Sequence, residues 1–130
     1  MSYKGIRGRY EKLKTNIFII IQAPYQLSNP KHVYYRSFNK SNIVFNKKLR
    51  HYSLDLDTHN KHQNFIKKIF NKYNKKYKNL NIIYLDDLFC NEEKCLIGNE
   101  KYSFYSDKGH LSTKGANLTK NKFEEIIQKF

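Results

Sequence analysis

One apolar run constrains the fold of this chain more than any other segment. Residues 17–21 read Ile-Phe-Ile-Ile-Ile, and Pro24 follows shortly after them. The run consists of β-branched and aromatic residues and does not alternate with polar ones, so it predicts a strand over residues 16–23 that is buried on both faces. Strands of this kind belong to parallel sheets that are covered by helices.

A helix and a second strand complete the pattern. The helix is predicted from Asp57 or Thr58 to about Tyr77, because apolar residues recur there at helical spacing: Phe65, Ile66, Ile69, Phe70, Tyr73 and Tyr77. Residues 79–85 follow with four apolar side chains and predict another strand. Strand, helix and strand in this order predict a right-handed βαβ crossover between parallel strands.

The rest of the chain is less uniform. Residues 1–15 predict a polar lead-in, and residues 16–130 the domain itself. Residues 25–58 resemble a long connection, with a short extended piece at residues 42–45. A last helix is predicted from Thr113 to about Lys129 behind the N-cap Ser112, with a buried stripe of Ala116, Phe123, Ile126, Ile127 and Phe130. The predicted fold class is therefore α/β. Two strands are too few for a stable parallel sheet, so further strands are expected from sequence outside this chain.

Composition limits the class of protein. The chain has 130 residues, 39% of them hydrophobic, which predicts one small domain with a core and excludes wholesale disorder. The longest apolar run is far short of the roughly 20 residues that span a bilayer, and residues 2–14 lack the apolar region of a signal peptide. The net charge of +14 would attract polyanions. The excess is almost all lysine spread along the chain, however, so a compositional bias explains it equally well, and we expect no nucleic acid as a partner.

The two cysteines, Cys90 and Cys95, leave two interpretations open. Their short separation allows a disulfide across a tight turn, which would indicate an oxidising compartment. Two free buried thiols fit the spacing as well. A structural zinc site needs four ligands, and His59 and His62 have a spacing that equally suits a polar helix start. We therefore expect neither a metal nor a cofactor, and we expect His59 and His62 to be solvated, like His32 and His51.

Asp107 and His110 form the most informative motif, Asp107-Lys-Gly-His110-Leu-Ser112. A carboxylate three residues before an imidazole on a loop can hydrogen-bond to one ring nitrogen and fix its tautomer. The other nitrogen is then free to take a proton from a serine hydroxyl. Spacing alone favours a simpler interpretation, in which Asp107 is a turn residue beside Gly109 and His110 is merely exposed. Asp86 and Asp87, which are adjacent to each other in the chain, are expected in a cap or turn. Tyr84 and Tyr105 are expected to belong to the core or to a pocket wall.

The surroundings of this motif resemble SGNH (GDSL-like) hydrolase domains, in particular those attached to membrane O-acyltransferases of the acyltransferase family 3 type. Those domains carry, in order, a short Cys-to-Cys loop, an aromatic-rich strand, and Asp-x-x-His-Leu-Ser followed by Gly-Ala. This chain has Cys90 to Cys95, residues 102–105, residues 107–112 and residues 115–116 in the same order. The resemblance extends from about residue 16 and is specific between residues 86 and 116.

The resemblance implies a flavodoxin-like, three-layer α/β/α sandwich, here a partial one, with a Ser-His-Asp triad. His110 would be the general base, and Asp107 the partner that orients it. The enzyme would transfer or hydrolyse acyl groups, usually acetyl, on cell-surface glycans such as lipopolysaccharide O-antigen. It would work on the periplasmic side of the cytoplasmic membrane, in agreement with a Cys90–Cys95 disulfide. Its partners would be an acyl donor, an acceptor glycan, an upstream half-domain and a membrane acyltransferase domain.

The sequence departs from the family in one respect. No Asp precedes any of the eight serines, and no Gly-x-Asn-Asp occurs, so both the nucleophile motif and the oxyanion-hole motif are missing. The chain is thus similar to the C-terminal part of such a domain, its nucleophile is expected from upstream sequence, and the chain alone is predicted to be inactive. A different class of function stays open: a non-catalytic basic module that binds polyanionic glycan or nucleic acid, with affinity that falls steeply with salt.

Overall fold

The structure is a computed structural model that describes residues 15–130. The lead-in predicted for residues 1–15 therefore lies, apart from Thr15, outside the described residues. The elements follow in the order β1 (Ile17–Ile20), α1 (Pro30–Arg36), α2 (Asn42–Tyr52), β2 (Leu54–Asp55), α3 (Leu56–Lys76), β3 (Leu80–Ile83), α4 (Asp86–Phe89), β4 (Lys94–Cys95) and α5 (Thr113–Ile127). No helix within this range combines the length and the apolar content that a membrane crossing requires.

A parallel strand pair forms the centre of the fold. Strands β1 and β3 pair in parallel with Ile19 opposite Ile82, and the N–H of Ile21 continues the ladder to the carbonyl of Ile83 at 2.9 Å. The connection between them contains α3, which packs on β3. The α/β class and the parallel strands predicted from the sequence are therefore confirmed. Strands β2 and β4 form a separate antiparallel pair.

Strand β1 is less buried than its sequence predicts. Residues 17–19 are only half-buried, and the side chain of Ile20 is 51% exposed. The expectation of burial on both faces is wrong for this strand. Within residues 15–130 its one ladder partner is β3, so one edge of β1 is also unpaired. Ile83 on β3 is buried at 4% exposure. The other three residues of β3 are half-buried like residues 17–19, so the two strands differ mainly at their last residues, Ile20 and Ile83.

Residues 25–58 contain two helices that the sequence analysis missed. The piece expected to be extended at residues 42–45 is the first turn of α2, so that prediction is wrong. The Ser41 side chain caps α2 by accepting the N–H of Val44. Phe45 and Leu49, one helical turn apart, are both 1% exposed. This i,i+4 pair behind a serine cap is the signal that identifies the helix.

The main core lies between the parallel pair and the last helix. It consists of Ala23, Ile83, Leu85, Phe89, Phe104 and Tyr105. From α5, Phe123 and Ile126 pack against it. Ile127 and Phe130 are instead 57% and 63% exposed, and Ala116 is exposed too, so only part of the predicted stripe is buried. The apolar face predicted for α3 likewise contains exposed members: Phe65, Ile66 and Ile69.

Gln26 joins three separate parts of the fold. Its side chain, only 1% exposed, donates to the carbonyl of Cys95 at 2.9 Å and accepts the N–H of Leu54 at 3.0 Å. Its own backbone N–H donates to the carbonyl of Lys108 at 3.0 Å. The segment that follows β1 is therefore fixed both to the β2–β4 pair and to the loop that carries Asp107 and His110.

Candidate active site

Asp107 and His110 lie on a tight loop directly before α5. An antiparallel bridge between Tyr105 and Leu111 closes the loop, and the N–H of Ser106 donates to the carbonyl of His110 at 2.9 Å. Helix α5 begins immediately afterwards, with Ser112 as its N-cap, as predicted: the Ser112 hydroxyl oxygen accepts the N–H of Gly115 at 3.0 Å. The loop is therefore anchored at both ends.

The structure brings the Asp107 carboxylate and the His110 imidazole into direct contact. Nδ1 of His110 lies 2.8 Å from Oδ2 and 2.9 Å from Oδ1 of Asp107. Oδ1 also accepts the backbone N–H groups of Gly109 at 2.9 Å and His110 at 2.8 Å. The hydrogen bond from the Gly109 N–H, followed by that from the His110 ring, lowers the pKa of Asp107. The carboxylate is thus held ionised against the ring.

The opposite edge of the imidazole faces solvent. The His110 side chain is 81% exposed, and among residues 15–130 its Nε2 makes no hydrogen bond. A surface cleft of about 470 Å³ lies beside it, lined by Gln22, Tyr25, Asn29 and residues 107–110. A carboxylate on one nitrogen and a free second nitrogen are what a general base needs. An incoming hydroxyl can reach Nε2 through this cleft.

The serines next to the loop have other roles. The Ser112 hydroxyl donates to the carbonyl of Ser103 at 2.7 Å, and that of Ser103 donates to the carbonyl of Tyr105 at 2.9 Å. The Ser106 hydroxyl faces the carbonyls of His110 and Leu111 at 3.3 and 3.4 Å. In the part of the chain that the structure describes, no serine hydroxyl hydrogen-bonds to the His110 ring.

The structure joins Cys90 and Cys95 in a disulfide. Of the two interpretations that the spacing left open, free buried thiols are therefore excluded in this structure. Cys95 is fully buried, and it lies opposite Leu54 in the antiparallel pair of β4 and β2. A ring nitrogen of His59 and the two sulfur atoms lie within 4.8 Å of one another, but sulfur atoms in a disulfide are not the thiolates that bind zinc.

His59 contradicts its sequence prediction. It was expected to be solvated, yet it is 1% exposed, and its Nε2 lies 2.8 Å from Oδ1 of Asp86. Lys67 contacts the other oxygen of that carboxylate. Partial burial opposes ionisation of Asp86, but the hydrogen bonds from His59 and Lys67 outweigh it and lower its pKa to about 2.

The helical spacing of the residues in α3 could have indicated that His59 is buried. His59 precedes Gln63 by four residues and Phe70 by eleven, which places all three on one face of α3. Asp86 begins α4, and the adjacent Asp87 turns instead to Lys122 on α5. The His59 side chain is 1% exposed and that of Asp86 is 23% exposed, so the ring itself is closed off from solvent. The His59–Asp86 pair ties α3 to the segment that leads into the disulfide loop.

The described chain is thus an α/β domain with a carboxylate–imidazole pair on the loop before its last helix. The chain matches the model of the family described as SGNH domain (fused to AT3 domains) over residues 7–125. It therefore belongs to this family of acyl-handling domains. No curated protein and no solved structure shows significant similarity to the chain.

Proposed function

We propose that this chain supplies the Asp–His part of a Ser-His-Asp triad in an SGNH-type O-acyltransferase or esterase. The substrates would be acyl groups, typically acetyl, on cell-surface glycans such as lipopolysaccharide O-antigen. The observation that carries the proposal is the contact of Asp107 with Nδ1 of His110, which leaves Nε2 free beside a cleft. Membership of a family of SGNH domains that are fused to AT3 domains supports acyl transfer as the reaction class.

In this reaction His110 acts twice. Its Nε2 takes the proton from a serine hydroxyl while the serine oxygen attacks the carbonyl carbon of the acyl donor. The imidazolium then gives this proton to the departing oxygen, which leaves an acyl-serine ester. In the second half Nε2 deprotonates a sugar hydroxyl, or water, which attacks the ester carbonyl. The bond to the serine oxygen breaks, and the imidazolium returns its proton to that oxygen. Asp107 stays ionised throughout and stabilises each imidazolium.

The serine would come from another segment. No Gly-Asp-Ser occurs in the 130 residues, and the half-exposed β1 offers an open side on which further strands could pair. We propose an upstream half-domain as the source of the serine and of the oxyanion hole, and a membrane acyltransferase domain as a further partner. The Cys90–Cys95 disulfide suits the oxidising periplasmic side of the membrane.

The test uses hydrolysis of p-nitrophenyl acetate. The purified chain should show no turnover beyond that of its His110→Ala variant. Co-expression with a Gly-Asp-Ser half-domain from the same family should restore turnover, and His110→Ala should then lower it by at least about 10³-fold. His62→Ala serves as the control, because His62 is exposed on α3.

Two results would contradict the proposal. Triad-level turnover by the chain alone that disappears in His110→Ala would show that the nucleophile lies within these residues. Restored turnover that is insensitive to His110→Ala would show that His110 is not the base. Mass spectrometry of the complemented enzyme adds a direct measurement, since an acetyl adduct should form on the serine of the added half.

A further inference from the structure

We infer that the surface leading away from His110 binds the acceptor, and that this acceptor is an anionic glycan. The inference rests on the proposed function and adds the chemical class of its substrate. Three depressions adjoin here: the cleft beside His110, a middle depression of about 310 Å³ and an outer one of about 340 Å³. Together we name them the lysine–tyrosine groove.

The three depressions adjoin one another, because they share lining residues. Asn29 lines both the cleft and the middle depression. Lys31, Tyr35 and Ser106 line both the middle and the outer depression. Ser106 directly precedes Asp107 in the chain, and its N–H donates to the carbonyl of His110. A chain of sugar units lying in the groove would therefore present one of its hydroxyl groups to the base.

The charge of the groove is unbalanced. Four lysines line it, Lys108 in the cleft and Lys31, Lys101 and Lys114 further out. None of these four ammonium groups forms an ion pair with a carboxylate among residues 15–130. The one acidic residue in the lining is Asp107, and its carboxylate is occupied by His110. A ligand with carboxylate or phosphate groups would complement this charge.

Tyrosine rings supply the second element of recognition. Tyr25 and Tyr35 are 49% and 65% exposed, and Tyr102 lines the outer depression. A tyrosine ring offers an apolar face and a polar edge, which suits a sugar ring with its C–H face and its hydroxyl rim. The floor below is fixed, since the buried Tyr105 donates its hydroxyl to the carbonyl of Pro24 at 2.8 Å.

Single-stranded nucleic acid also binds where aromatic rings accompany basic side chains. Two observations favour a glycan. All the cations in the groove lining are lysines, without the arginine fork that recognises phosphates in two-point contacts. The groove also ends at a base that suits transfer of an acyl group to a hydroxyl, and glycans carry many hydroxyl groups.

The experiment measures binding to the intact chain by calorimetry and by amide NMR shifts at low salt. The probes are tetragalacturonate, phosphorylated maltotetraose, neutral maltotetraose and an eight-nucleotide oligothymidylate. One of the two anionic sugars should bind at least 10-fold more tightly than the neutral one, and their comparison tells carboxylate from phosphate. The shifts should concentrate at Tyr35, Ser106 and Lys114.

The matched variants separate the groove from general electrostatics. Lys31→Gln, Lys101→Gln and Lys114→Gln combined should weaken binding at least 10-fold. The control combines Lys68→Gln, Lys72→Gln and Lys75→Gln on α3, which removes the same charge from exposed positions, and it should change affinity less than 2-fold. All six lysines are exposed, so both variants should keep the wild-type circular dichroism spectrum.

Several outcomes would overturn the inference: equal losses in the two triple variants, no preference for the anionic sugars, tighter binding of the oligothymidylate, or no binding at millimolar sugar. Its failure can be told apart from that of the proposed function. If the sugars do not bind but turnover still depends on His110, the groove is rejected as a binding site and the role of His110 stands. If the sugars bind but turnover is insensitive to His110→Ala, the assignment of His110 as the base is rejected and the groove stands.

Discussion

The Asp107 carboxylate holds His110 at two points, because it accepts the backbone N–H at 2.8 Å and also lies 2.8 Å from Nδ1 of the ring. The bend of the loop and the orientation of the imidazole therefore depend on one side chain. Since both residues are exposed, the ion pair adds little to stability. Its consequence lies in the tautomer, because the carboxylate favours a proton on Nδ1 and leaves Nε2 as the acceptor.

Asp107→Asn should change that tautomer while preserving the loop. The asparagine oxygen can still accept the backbone N–H of His110, but the negative charge is lost. We expect the neutral ring to shift toward the form protonated on Nε2, and the turnover of the complemented enzyme to fall on the order of 10³–10⁴-fold. The ¹⁵N shifts of the His110 ring above neutral pH measure the tautomer. Asp57→Asn, on α3, is the control, and an unchanged tautomer in Asp107→Asn would refute the orienting role.

Asp86→Asn should remove an acid-dependent part of the stability. The pKa of Asp86 falls from 3.8 to about 2 on folding. A folded-state pKa below the unfolded one stabilises the protein fully above about pH 4, and this contribution disappears as the pH falls through about 2. The side chain is 23% exposed, and the shift corresponds to about 2 kcal/mol.

Urea unfolding at pH 6, 4, 3 and 2.5 measures this contribution. Asp86→Asn should be less stable than the wild type by about 2 kcal/mol at pH 6, and the difference should shrink toward pH 2.5. Glu92→Gln changes an exposed carboxylate in the disulfide loop and should leave the pH profile unaltered. A constant difference between Asp86→Asn and the wild type across this range would contradict the assignment.

Removing the disulfide should destabilise the fold moderately. Cys90 and Cys95 are five residues apart, and closing so short a loop restrains the unfolded chain by about 2 kcal/mol. Cys90→Ser combined with Cys95→Ser should therefore lower the free energy of unfolding by that amount. Thermal unfolding with and without a phosphine reductant tests this. The reductant should affect only the wild type, and equal stability of the variant and the oxidised wild type would contradict the prediction.

Gly115→Ala should be destabilising although alanine is the better helix former. A Cβ atom at Gly115 would overlap with the carbonyl oxygen of Phe104. That oxygen also accepts the N–H of Ser112, so it cannot move without loosening the start of α5. We expect a loss of about 2–3 kcal/mol from overpacking, against an intrinsic gain of about 1 kcal/mol. Chemical denaturation measures the balance. Asn117→Ala, at an exposed position of α5, should be nearly neutral, and a stabilised Gly115→Ala would contradict the close approach.

The elements that the sequence predicted well are those whose signals are local. The apolar run at residues 17–21 and the helical spacing around Phe70 act over one element. Both elements form, although β1 is shorter than predicted and α3 begins at Leu56. Ser112 likewise caps α5 through its own side chain. Asp107 and His110 also meet locally, three residues apart on one loop. The roles of these two residues in catalysis stay a prediction.

The misses share a different physical cause. His59 looks polar in sequence, but its burial depends on Asp86, which lies 27 residues away. Phe65 and Ile127 look like core residues, yet both are exposed. Helical periodicity identifies the apolar face of a helix, but it does not show whether another element covers that face. Helix α2 was missed because the Asn and Ser residues around it resemble a loop. Its Phe45 and Leu49 are buried in a cluster with Ile97, which is distant in the sequence.

The three-way attachment of Gln26 also bears on the order of folding. Its side-chain hydrogen bonds join residues that are 28 and 69 positions away along the chain, and contacts of such long range form slowly because the intervening chain must first be closed into a loop. The backbone N–H of Gln26 also donates to the carbonyl of Lys108, on the loop that carries His110. We therefore expect the imidazole-bearing turn to reach its final position late, after the helices have already formed.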